Sequence, residues 1–308
     1  MARIVICEFM DERAVAQLEA AHDVLYDPQL VGDAARLRAE AGKADVLIVR
    51  NLTQVRGELL TAMARCKVVG RLGVGLDNID VPACEARGIK VIPASGATAL
   101  SVAEYVVAST MLLLRGAFTS TEAVAAGQWP RAALSNGREA AGQTLGIIGF
   151  GSIGQTTARL ARGLGMRVIA YDPALAPDAA VFAQTGVQCA SLDDLINSAD
   201  AVTLHVPLVD TTRGLFSAAR IGQMKKGAVL INTSRGHIVD IAAVSTALRS
   251  GQLGGAAIDV FDAEPLAASA ALQSCPNLLL TPHISGLSMQ SNERVSFMIA
   301  DKVLESLK

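Results

Sequence analysis

Four histidines occur in the chain, and His283 is the one placed for chemistry. It stands in Thr281-Pro282-His283-Ile284-Ser285-Gly286, where an apolar run gives way to a glycine loop. An imidazole there is suited to exchanging a proton near neutral pH. Two more charged groups have similar surroundings. Arg235 follows the run Ala228–Thr233, and Glu264 follows Ala256–Val260 within Phe261-Asp262-Ala263-Glu264-Pro265. A guanidinium grips a carboxylate bidentately and polarises an adjacent carbonyl, a task lysine does poorly. A carboxylate beside an imidazole sets its tautomer and favours its charged form. The three together are what proton-coupled hydride transfer on a small hydroxy or keto acid needs, if their strands end at one sheet edge. The other histidines have duller settings. His22 closes an early helix, His205 ends a strand in Thr203-Leu204-His205-Val206-Pro207, and His237 follows Arg235-Gly236 toward solvent.

A cofactor site is legible mid-chain. Gly149-Phe150-Gly151-Ser152-Ile153-Gly154 follows the apolar Thr144–Ile148 and precedes the helical Gln155–Arg162. The three glycines allow a tight turn, close approach of backbone to a pyrophosphate, and close helix–strand packing. Free N–H groups at the helix start would hold the phosphates. The next strand, Arg167–Asp172, ends in an acid 18 residues beyond Gly154. There Asp172 can accept hydrogen bonds from ribose hydroxyls and repel a 2′-phosphate, and Pro173 and Ala174 offer no cation. NAD is expected rather than NADP.

Composition narrows the class. With 308 residues, two ordinary domains fit. The chain is 51% hydrophobic but 4% aromatic, as parallel sheets with aliphatic cores are. A net charge of −2 without blocks of like charge argues against nucleic-acid or membrane partners. Five scattered cysteines with no metal-type spacing suggest reduced thiols, a cytoplasmic protein and no metal site. The longest apolar stretch, Val102–Leu114, contains Glu104 and is too short to span a bilayer.

The elements that must position these groups alternate. Strands are expected at Arg3–Cys7, Asp45–Arg50, Lys67–Arg71 and Lys90–Ile92, with helices at Asp11–Ala21 and Val81–Arg87. A helix Ser101–Arg115 and an irregular stretch Gly116–Gln143 come before the glycine motif. After it come strands Ala201–Val206, Ala228–Thr233, Ala256–Val260 and Leu278–Thr281. Helices Leu192–Ser198, Ala218–Met224, Ile241–Arg249 and Gln290–Leu307 complete the order. Such alternation predicts parallel α/β sheets.

Four ordered motifs, Gly149–Gly154, Asn232–Gly236, Asp259–Pro265 and Thr281–Gly286, resemble the D-isomer-specific 2-hydroxyacid dehydrogenases. Arg71–Asp80 and Val102-Ala103-Glu104 extend the resemblance into the N-terminal half, toward the phosphoglycerate dehydrogenase and hydroxypyruvate reductase branch. The resemblance implies two Rossmann-like doubly wound parallel-sheet domains. An NAD domain, 98–285, would be inserted into a flavodoxin-like substrate domain, 1–97 plus 286–308. It implies Arg235, Glu264 and His283 as the catalytic set, with Glu264 paired to His283. Cofactor contacts would fall on Gly149, Gly151, Ser152, Ile153, Gly154, Asp172, His205, Val206, Pro207, Thr233, Ser234, Arg235, Asp259, His283 and Gly286. Substrate contacts would fall on Arg50, on Val74 and Gly75 through their N–H groups, and on Arg235 and His283.

The resemblance leaves the substrate open among hydroxypyruvate/D-glycerate, 3-phosphoglycerate and sulfolactate/sulfopyruvate. Arg50 either meets an anion on the third carbon or ends its strand against a surface acid. Thr98 stands where some of that branch carry asparagine, and a form without the regulatory domain of many phosphoglycerate dehydrogenases is expected. Gly127-Gln128-Trp129-Pro130-Arg131 resembles the family's dimer arm, so a homodimer is expected, with Trp129 either an interface anchor or packed within its own subunit. Two rival readings share the scaffold: a corepressor-like protein that senses NAD, and a formate or phosphite dehydrogenase.

Overall fold

The structure, a computed structural model, describes residues Met1–Lys308. It divides into two compact units, Met1–Thr98 with Leu287–Lys308, and Ala99–Gly286.

The discontinuous unit is built from β1 (Arg3–Ile6), α1 (Glu12–Glu19), β2 (Asp23–Tyr26), α2 (Ala34–Ala41), β3 (Val46–Val49), α3 (Gly57–Ala62), β4 (Val68–Arg71), α4 (Val81–Ala86) and β5 (Lys90–Pro93). Its strands form one parallel sheet in the order β2-β1-β3-β4-β5, the flavodoxin-like arrangement. Side chains alternate across it. Along β3, Val46 and Ile48 enter one core with α1 and the C-terminal helix, while Leu47 and Val49 enter the other with α2 and α3. Polar caps start the helices: Asp11 accepts from the Arg13 N–H, and Asp80 from the Ala83 N–H just after Pro82.

The second unit runs α5 (Ala99–Arg115), α6 (Thr121–Ala125), β6 (Thr144–Ile148), α7 (Ser152–Gly163), β7 (Arg167–Tyr171), α8 (Ala180–Thr185), β8 (Gln188–Cys189), α9 (Leu192–Ser198), β9 (Ala201–Leu204), α10 (Ala218–Gln223), β10 (Ala228–Asn232), α11 (Ile241–Ser250), β11 (Leu253–Ile258), α12 (Ala270–Gln273) and β12 (Leu278–Leu280). The final helix, α13 (Met289–Ser306), returns to the first unit behind a Ser288 capping box. The strands pair in parallel in the order β12-β11-β10-β9-β6-β7-β8. The order reverses between β6 and β9, the topological switch point where ligands bind doubly wound sheets. In β10, Val229 and Ile231 face α5 and α7, whereas Ala228 and Leu230 face α9 to α11.

Several functional strands stop earlier than their apolar runs suggest. β3 ends at Val49, β9 at Leu204 and β11 at Ile258, releasing Arg50, His205 and Asp259 from the ladder. β11 also begins at Leu253, through glycines that patterning alone passes over. Unanticipated elements are short or at sheet edges: β2, β8, α2, α3, α8 and α12. The irregular stretch before β6 contains α6 and exposes Phe118 and Trp129. No single helix is long and apolar enough to cross a membrane.

Candidate active site

Arg235, Glu264 and His283 follow β10, β11 and β12, three adjacent strands of one parallel sheet, and therefore share its carboxyl edge. His283 Nδ1 lies 2.8 Å from Glu264 Oε2, and Glu264 Oε1 accepts from the Phe261 N–H at 2.9 Å. The carboxylate is acceptor-only, so Nδ1 carries a proton and Nε2 is left to exchange one with a ligand. Both side chains are partly open to solvent, as groups meeting a substrate must be. The arginine loop is built by Asn232. Its Oδ1 accepts from the Ser234 N–H (3.0 Å) and hydroxyl (2.8 Å), and its Nδ2 donates to the Arg235 carbonyl (2.9 Å). Gly236 lies flat against the Phe261–Asp262 peptide, leaving no room for a side chain. The arginine loop thus packs on the loop that carries Glu264.

His283 is held in an uncommon backbone conformation, with φ of 55°. Asp259 explains how. Its fully buried carboxylate accepts from the Thr281 hydroxyl at 2.5 Å and from the Ile284 and Ser285 N–H groups at 2.9 Å. Its carbonyl accepts from the His283 N–H at 2.8 Å, and the Tyr105 and Thr281 hydroxyls are 2.7 Å apart. Asp259, expected to meet the cofactor, also holds the histidine loop through both carboxylate oxygens. The brace provided by Tyr105 and Thr281 escaped the sequence reading, because their partners are more than a hundred residues apart or in another strand.

The nucleotide loop divides its labour among three glycines. Gly149 has φ of 94°, and a Cβ there would sit 2.7 Å from the His205 carbonyl carbon. Gly154 abuts the Gly149 carbonyl, whereas Gly151 faces open space at the start of α7. That open, donor-rich turn is the cradle a pyrophosphate requires. Asp172 is half-buried at the end of β7, its oxygens accepting from Phe150 N–H (2.7 Å) and Ala174 N–H (2.9 Å). The buried Thr233 hydroxyl has no partner in the chain, as befits a group awaiting a ligand. Ser152 and Ile153 open α7, Val206 and Pro207 continue from β9, and Ser234 and Gly286 flank Arg235 and His283. The residues present fit a dinucleotide. His205 contacts Thr203 through Nε2, and burial pushes its pKa down to about 3, so it is neutral and no acid.

In the other unit, Arg50 follows β3 and Val74-Gly75 follow β4 on the adjoining strand. The Val74 and Gly75 N–H groups donate to no acceptor in the chain. Burial pulls the pKa of the Arg50 guanidinium below its ordinary value, with the Glu8 charge opposing.

A nucleotide-binding sheet that also carries an arginine and an imidazole–carboxylate pair belongs to a dinucleotide-dependent oxidoreductase. Comparison with known proteins agrees. Residues 107–285 match the family model for the D-isomer specific 2-hydroxyacid dehydrogenase NAD binding domain. The chain is 48% identical to the (S)-sulfolactate dehydrogenase of Chromohalobacter salexigens, over 100% of this chain and 99% of that protein. It is 38% identical to the hydroxypyruvate reductase of Thermotoga maritima, over 86% of this chain and 85% of that one. Among solved structures, the NAD-dependent formate dehydrogenase of Staphylococcus aureus in complex with NAD superposes with a TM-score of 0.82 at 27% identity, covering 100% of this chain and 96% of that one. The chain belongs to the D-isomer-specific 2-hydroxyacid dehydrogenases, NAD-binding oxidoreductases acting on a CH–OH group.

Proposed function

We propose that the protein interconverts a small D-2-hydroxy acid bearing a second anion on its third carbon, of the sulfolactate type, with its 2-keto acid. The observation that carries the reaction is the 2.8 Å Glu264–His283 pair on the strand beside the Arg235 loop. Support for the substrate comes from Arg50 and from the (S)-sulfolactate dehydrogenase relative. The labels D and (S) agree here. A carbon bearing sulfur outranks a carboxyl in the naming rules, so (S)-sulfolactate has the spatial arrangement of a D-2-hydroxy acid.

A bound NAD would supply the hydride acceptor for the oxidation of carbon 2. His283 Nε2 takes the hydroxyl proton as the carbonyl forms, and returns it in the reverse direction. Glu264 keeps the ring oriented and compensates the charge it gains. Arg235 binds the substrate carboxylate and the oxygen on carbon 2; within the other unit the Val74 and Gly75 N–H groups and Arg50 are the anion-binding groups, Arg50 suited to an anion on carbon 3. Gly151, Ser152, Ile153, Asp172 and Thr233 hold the cofactor, with His205, Val206, Pro207, Ser234 and Gly286 around it. Asp259 positions the histidine loop. The active form is a homodimer whose arm carries Phe118 and Trp129, 65% and 77% exposed in the single chain. The protein works in the cytoplasm.

The test is NADH oxidation with hydroxypyruvate, phosphohydroxypyruvate, sulfopyruvate and glyoxylate side by side. The reading expects sulfopyruvate to give the highest kcat/KM. No turnover of any 2-keto acid refutes it.

A further inference from the structure

The loop after β3 is anchored by a device that proton and hydride transfer do not require. Glu8, just beyond β1 and 3% exposed, accepts from four successive N–H groups: Arg50 (2.8 Å), Asn51 (3.2 Å), Leu52 (3.0 Å) and Thr53 (3.0 Å). From the other side, buried Asn78 donates to the carbonyls of Thr53 (2.7 Å) and Arg50 (3.3 Å). Consecutive N–H groups aimed at one point form an anion-binding concavity, and here the chain fills it with its own carboxylate. The Glu8 charge is thereby committed to backbone.

The Arg50 side chain has different partners. Its guanidinium lies over the Phe9 ring, 5.6 Å from the centroid, and Nη2 donates to Asn292 Oδ1 at 2.6 Å. Asn292 lies in the first turn of α13. Both partners are neutral. The adjacent acid on that helix, Glu293, is engaged by Arg13 at 3.0 Å. An amide oxygen orients a guanidinium without cancelling its charge, and an aromatic face supports a cation while adding no counter-ion. The Glu8 charge acts on this half-buried cation from a distance, and no carboxylate is in contact with it, so room for a directly bound anion remains.

We propose that Asn292, Phe9 and the Glu8 anchor are specificity-determining positioning residues. They hold the Arg50 guanidinium still and leave its charge for a sulfonate or phosphate on carbon 3 of the substrate. The inference rests on the dehydrogenase reading above and deepens it. A substrate without that second anion leaves a desolvated cation with no directly bound counter-ion, so the same residues select against it. Asn292→Asp would place a carboxylate against the guanidinium and neutralise the charge the site offers.

The experiment measures kcat/KM for sulfopyruvate and for hydroxypyruvate with NADH, in the native full-length protein and in Asn292→Asp. The ratio of sulfopyruvate to hydroxypyruvate is expected to fall about tenfold or more, through KM for sulfopyruvate, as for one neutralised charge contact. Phe9→Leu should lower the ratio about threefold, the value of a partly exposed cation–ring contact. Glu8→Gln turns an amide NH2 against N–H donors and should lower the ratio without changing the fold seen by circular dichroism. A second arm reads binding alone: sulfolactate added to the NAD-saturated protein should raise the Tm beyond its value with NAD alone in the native protein and not in Asn292→Asp. An unchanged ratio together with undiminished protection in Asn292→Asp overturns the inference. Native protein that turns over neither keto acid refutes the dehydrogenase reading instead, and protection lost in Asn292→Asp then still supports the anion site.

Discussion

Asp259→Asn removes one charge from the loop that holds His283, and the consequence can be worked from the hydrogen bonds. The carboxylate accepts three: from the Thr281 hydroxyl and the Ile284 N–H at Oδ1, and from the Ser285 N–H at Oδ2. An asparagine oxygen can keep the first two. Its NH2 then faces the Ser285 N–H, donor against donor, in a site with no access to water. One lost charge-assisted bond is worth about 1.5–3 kcal/mol, and a stranded buried donor costs about 1–3 kcal/mol. Allowing for relaxation, the native loop loses roughly 3 kcal/mol of support. His283 sits at φ of 55°, a conformation a non-glycine residue keeps only where its surroundings insist. About 3 kcal/mol corresponds to roughly a hundredfold in the population of the reactive geometry. The expected result is a kcat about 10²-fold lower, a KM for NADH changed far less, and a urea midpoint shifted downward. Thr281→Val, which removes one donor and the Tyr105 contact, should act in the same direction with a smaller loss. A native kcat in Asp259→Asn, or a defect confined to NADH affinity, would show that this carboxylate meets the cofactor and does not brace the loop.

Five other outcomes are expected. His283→Ala should lower kcat/KM about 10²–10⁴-fold, and Arg235→Lys should not preserve activity because an ammonium lacks the planar fork; steady-state kinetics decide both. Asp172→Ser, with arginine placed at Ala174, should raise the NADPH to NADH ratio of kcat/KM at least tenfold, and an unchanged ratio removes Asp172 from cofactor choice. His205 is neutral in the fold, with a pKa of about 3 against about 6.5 in the unfolded chain. Unfolding below about pH 6.5 therefore binds a proton, so this residue's contribution is complete above that pH and is lost as pH falls toward 3. His205→Gln should flatten the stability slope between pH 6.5 and 4.5 in urea titrations, and parallel slopes would contradict the burial argument. Trp129→Glu should shift the sedimentation coefficient from dimer to monomer if the exposed arm is the dimer contact, and unaltered sedimentation places the contact elsewhere.

Much of the candidate site was readable because chemistry and topology coincide at strand ends. An apolar run that stops at a charged residue marks the carboxyl edge of a parallel sheet. Arg235, Glu264 and His283 each follow such a run on neighbouring strands. The glycine motif was legible for a related reason. Only glycine tolerates the φ of 94° at position 149 and the contact at 154, so sterics write themselves into residue type. Local periodicity also found the long buried elements. It passed over β8, two residues at a sheet edge, and α12, four residues long, which carry too little pattern to register.

Sequence alone determined the parallel α/β class, the nucleotide loop and which charged groups stand at strand ends, since each depends on neighbours within a few residues. Tertiary structure decided how those groups are held. Glu8 reaches the loop at 50–53 from the adjoining strand, Asn292 reaches Arg50 from a helix 242 positions away, and Asp259 holds the histidine loop. A buried carboxylate or amide takes its meaning from the donors that converge on it. That convergence is set by the packing of distant segments, which no local run of residues encodes.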